Sequence, residues 1–237
     1  MATLLSAIET QARRHLIEPT ASYWSSAELI DIINQGIRDL WRDVVDLKQE
    51  HFLTNDTTNV TMAANTATLT GVPSDVHKVY LIEPLDSSSD SANKGLVFTP
   101  LDYNHKRFQS VRTMDAIDPS NNVIYYAVTG AGAPTGSSST VVYVGPQVND
   151  AVSVRFVYVP TLAAKVAGDN VPIPGEADNA LIAWTVAFAR AKEREDRSPD
   201  PNWLAIYSTE KGHLMQSLGL RQYHEPFCVD GFFEEYW

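Results

Sequence analysis

PIPGEADNALIAWTVAFARAKEREDRSPDPNWLAIYSTEKGHLMQSLGL, residues 172–220, is the stretch around which the chain is organised. Pro172 and Pro174 fix φ and lack backbone donors, so no helix runs through them. Behind Gly175, apolar residues fall at Ala177, Ala180, Leu181, Trp184, Ala187, Phe188 and Ala191, which puts them on one stripe of a helix. Glu176 and Asp178 stand in its first turn and Arg190, Lys192 and Arg194 near its last, where the helix dipole favours each charge. Ser198-Pro199-Asp200-Pro201 interrupts the chain. A second helix then starts with Pro201 in its first turn and Leu204, Ile206, Tyr207, Leu214 and Leu218 as apolar positions. Helices joined by so short a turn lie antiparallel. Neither buries its stripe alone, so another part of the chain must cover them.

The N-terminal stretch supplies that cover. Leu4, Leu5, Ile8, Ala12 and Leu16 recur at helical spacing until Pro19. Ser25 and Glu28 have the spacing of a capping box, and behind them Leu29, Ile32, Ile33, Ile37, Leu40, Trp41, Val44 and Val45 form a long stripe. Asp31, Asn34, Arg38, Asp39, Arg42 and Asp43 read as its solvent face. Trp41 and Trp184 are expected to be buried where the helices meet. The fold class predicted is α+β: a helical bundle from residues 1–50 and 171–220, an inserted antiparallel β domain over 51–170, and an aromatic tail over 221–237.

Within the insertion, period-two or apolar runs mark strands at 59–62, 66–69, 75–82, 96–99, 123–128, 141–144 and 152–159. The last two, joined through Gly145-Pro146-Gln147-Val148-Asn149-Asp150, read as an antiparallel pair. A short helix is predicted within 101–111. The segments 86–94 and 130–139 are polar loops.

Composition narrows the function. Eighteen Lys and Arg stand against 29 Asp and Glu, a net charge of −11, which disfavours a broad grip on nucleic acid or anionic membrane. One cysteine, Cys228, leaves no intramolecular disulfide. The opening residues lack the basic and apolar parts of a signal peptide, and no apolar run approaches the ~20 residues that span a bilayer. A protein made in a cytoplasm is the expectation.

Motifs of chemistry are weak. Gly130-Ala131-Gly132 follows a strand but lacks the spacing and the helix of a phosphate loop. Glu210 and His213 sit three apart as in di-iron bundles, but no second copy exists. His224 precedes Cys228 in a tail with no framework to hold catalytic geometry. Neither catalysis, metal nor cofactor is expected. The tail is the candidate partner-binding site: Phe227, Phe232, Phe233, Tyr236 and Trp237, with Asp230, Glu234 and Glu235 among them. Aromatic rings bury much area each and anchor interfaces.

Three groups of residues carry a likeness to a known family. They are Tyr23-Trp24-Ser25-Ser26-Ala27-Glu28-Leu29-Ile30 with Ile33-Asn34-Gln35-Gly36-Ile37-Arg38-Asp39-Leu40; Val142-Tyr143-Val144-Gly145-Pro146 with Val154-Arg155-Phe156-Val157-Tyr158-Val159-Pro160; and Val171-Pro172-Ile173-Pro174 with Asp178-Asn179-Ala180-Leu181-Ile182. Together they resemble the head-to-tail adaptor (connector) proteins of tailed bacteriophages, of the larger type with a β insertion. The resemblance implies a structural virion protein, assembled in the host cytoplasm into a homo-oligomeric ring, typically a dodecamer. Such a ring sits at the head-tail junction, binds the portal protein and the tail or nozzle proteins, and lets DNA pass without specific binding. It touches no membrane. A second reading of the same residues is a β-rich tail or surface module that recognises a glycan or receptor through the loops at 86–94 and 130–139.

Overall fold

The computed structural model describes residues 3–85, 95–119, 122–130, 140–194 and 196–220. In chain order the first elements are helices α1 (Leu5–His15) and α2 (Ser26–Lys48), then strands β1 (Thr54–Asp56), β2 (Thr61–Met62), β3 (Leu69–Thr70), β4 (Val76–Pro84) and β5 (Val97–Pro100). Helix α3 (Lys106–Arg112) precedes β6 (Val123–Thr129), β7 (Val141–Gly145) and β8 (Val152–Pro160). Helices α4 (Asp178–Arg190) and α5 (Pro201–Leu220) follow. The fold is α+β, with five helices and two sheets among the described residues. The chain divides into two compact units, one from residues up to 49 and from 162 onward, the other from 50–161.

In the first unit α4 packs against α1, α2 and α5. Its inward residues are mostly small: Ala180, Ala183, Ala187 and Ala189 are buried beside Leu181 and Val186. Small side chains let three neighbours approach one helix closely. Against them lie Leu5, Ile8 and Ala12 of α1, Leu29, Ile33, Ile37, Leu40 and Val44 of α2, and Tyr207, Leu214 and Leu218 of α5, all buried. Each large side chain so covered contributes roughly 1.5–3 kcal/mol.

Four expectations change here. Trp41 and Trp184 are only half-buried; the Trp184 indole of α4 lies against Gly36 of α2 and donates Nε1 to the Ile32 carbonyl at 3.0 Å. Ile206 of α5 is exposed; the inward stripe runs through Tyr207, Leu214 and Leu218. Asn34 does not face solvent: its Nδ2 donates to the Lys165 carbonyl at 2.9 Å and its Oδ1 accepts from the Lys165 amide at 2.8 Å. The stretch after residue 161 accordingly belongs to this unit and not to the strands. The Leu5 and Ser6 amides donate to the Asp169 and Ala167 carbonyls, and the Val171 amide to the Thr3 carbonyl, so this segment satisfies the orphan donors that open α1.

The second unit is a pair of sheets round one core. β8 is the spine of the first sheet: β4 pairs antiparallel along one edge, while β1 and β2 pair with successive parts of the other. β3 pairs with β2. The second sheet runs β5-β6-β7. A single bridge, Thr68 to Tyr143, joins β7 to the chain just before β3. Val60, Met62, Ile82, Ile124, Val142, Val144, Val154 and Phe156 close the core between the sheets.

Two predictions about these strands fail. β7 and β8 do not pair with each other; they lie in different sheets. The connection between them is no free turn, because Val148 is buried and its neighbours are pinned to residue 117: Ile117 N donates to Gln147 O and Asn149 N to Ile117 O, each at 2.9 Å. Nor is the insertion wholly antiparallel. β5 and β6 run parallel, since α3 lies between them and supplies the crossover that parallel strands need. β1, too short and too polar to signal itself, was not expected.

Candidate interaction surfaces

Every residue of the predicted partner-binding site, Phe227, Asp230, Phe232, Phe233, Glu234, Glu235, Tyr236 and Trp237, lies outside the described residues. So do Cys228, His224 and most of the loops at 86–94 and 130–139. What the structure brings together falls in three places.

The first is the corner between α1 and α2. Ile17 adopts a left-handed backbone (φ 59°) and is 87% exposed. The Glu18 carboxylate organises the loop that follows. It accepts from the Ser22 hydroxyl at 2.6 Å, the Ser22 amide at 2.5 Å, the Trp24 amide at 3.2 Å and the Tyr23 amide. Burial pushes this carboxyl up, but the combined donors outweigh burial and bring it down to about 2. Arg13, itself buried, holds the same corner through the Trp24 carbonyl, Ser26 Oγ and Glu9. Trp24 is buried and donates Nε1 to the Ala189 carbonyl of α4 at 2.9 Å. The capping box forms as read: Ser25 Oγ accepts from the Glu28 amide, and Glu28 accepts from the Ser25 amide. Glu28 also meets Lys192 at 2.9 Å. The Ser25 amide and Lys192 lower this carboxyl to about 2.

The second is a polar staple between α2 and α5. Asp39 accepts from the Tyr207 hydroxyl at 2.5 Å and from Lys211 Nζ at 2.7 Å, and Lys211 also pairs with Asp43. Burial raises Asp39, yet these donors leave it below the usual carboxylate range. Burial and the facing Asp39 carboxylate push the Tyr207 hydroxyl strongly up. Arg42 also meets Asp39 at 3.2 Å, so two cations face the two carboxylates, and the group holds α5 against α2.

The third is a groove of about 650 Å³ in the strand unit. β4 contributes His77, Lys78 and Val79; the segment after β5 contributes Leu101, Asp102, Tyr103 and His105; β6 contributes Tyr126 and Val128. His105 caps α3 by accepting from the Arg107 amide at 3.2 Å. Behind Tyr103, the Arg112 guanidinium lies 5.2 Å from that ring and 5.0 Å from the ring of Tyr143, and Nη1 donates to the Tyr103 hydroxyl at 3.0 Å. One wall of the groove is therefore fixed by stacking. Sequence reading missed this place because its walls come from three separated segments and no spacing links them.

Glu210 and His213 lie on α5 with His213 exposed. Among the described residues no group of three or more His, Cys, Asp or Glu could hold a metal ion, and no helix there is long and apolar enough to cross a membrane.

No curated protein matches the sequence. The family model described as SU10 adaptor protein matches residues 2–227, ending at the first of the predicted tail contacts. That span is nearly the whole chain, and the chain therefore belongs to the SU10 adaptor protein family, a family of phage structural adaptors.

Proposed function

We propose that this protein forms the adaptor ring that joins the portal of a tailed-phage head to the tail and lines the channel through which DNA passes. The family match over residues 2–227 carries the reading. The ring is a dodecamer, and its partners are the portal on one side and tail or nozzle proteins on the other. The net charge of −11 suits a channel wall that DNA must pass without adhering. The internally satisfied staple and corner suit a rigid subunit, since groups already paired within the chain need no partner for stability.

The aromatic tail, Phe227 to Trp237, docks on the portal or on a neighbouring copy. Its rings supply the buried area, while Asp230, Glu234 and Glu235 face basic groups, so attachment weakens as salt rises. The test is co-sedimentation of purified protein with its portal, comparing the full chain with one lacking residues 227–237. The full chain travels with the portal and the shortened, still folded chain does not. A full chain that ignores the portal under all salt conditions contradicts the reading.

A further inference from the structure

We draw no further inference here: the strongest candidate, the surface patch at the corner between α1 and α2 where Ile17 is held exposed in a left-handed backbone and Tyr23 is also exposed, carries nothing further because nothing in the structure shows what covers it.

Discussion

Gly36 sits inside α2, where a glycine costs about 1 kcal/mol of helix propensity relative to alanine. The reason for it is Trp184. A Cβ built at Gly36 would stand 2.7 Å from Trp184 Cδ1, and the indole is fixed by donating Nε1 to the Ile32 carbonyl and by stacking 4.2 Å from Phe188. Gly36→Ala should therefore destabilise the protein by about 1–3 kcal/mol through overpacking, against the propensity gain. Gly212 on α5 is the control, since a Cβ there meets nothing within 4 Å, and Gly212→Ala should stabilise by roughly 0.5–1 kcal/mol. Urea melts of both variants check the pair; equal effects of one sign would contradict the packing argument. Glu18 gives a pH signature at the same scale. Its carboxyl falls from an ordinary 4.5 to about 2 in the folded chain. The stabilisation it lends is thus complete above about 4.5 and lost as pH falls towards 2. Glu18→Gln should lower Tm at pH 7 and flatten the decline between pH 4.5 and 2. A variant with an unchanged acid profile would show that the loop does not depend on this carboxylate.

At the scale of elements, legibility followed how local the signal was. The capping box at Ser25 and Glu28 needs four residues and appears as read. The α1, α2, α4 and α5 stripes were visible because burial repeats with the helical period, although the period alone could not say that the indoles of Trp41 and Trp184 stay half-buried. Strand positions were legible within a few residues, but strand partners were not. Two apolar runs six residues apart look like a hairpin, and only the burial of Val148 and the bridge from Ile117 send β8 into another sheet. The parallel β5–β6 pair likewise depends on α3, which no pattern in either strand announces. The groove lined by β4, β6 and the segment after β5 was invisible for the same reason. A testable consequence concerns α5, whose place depends on one polar staple as well as on its stripe. Tyr207→Phe removes the donor to Asp39 while keeping the ring, and should cost about 1–2 kcal/mol. Native-state hydrogen exchange should show the loss first in α5; a uniform or absent change would contradict the staple's role.

For the whole molecule, sequence alone reached the α+β class and the adaptor family because both rest on long-range order of elements, which the family match over residues 2–227 also reads. It could not reach the arrangement of partners, which is a property of surfaces from several segments. The tail is the part where sequence still leads. Deleting residues 227–237 should leave the unfolding midpoint within about 0.5 kcal/mol equivalent of the full chain, while attachment is lost. A large fall in stability would make the tail a packing arm. The central claim, that this chain builds a ring at the head-tail junction, is tested most directly by electron microscopy of the purified protein with and without its portal. Rings of twelve subunits seated coaxially on the portal are the expected result. A monomer or small oligomer that stays separate from the portal would contradict the claim.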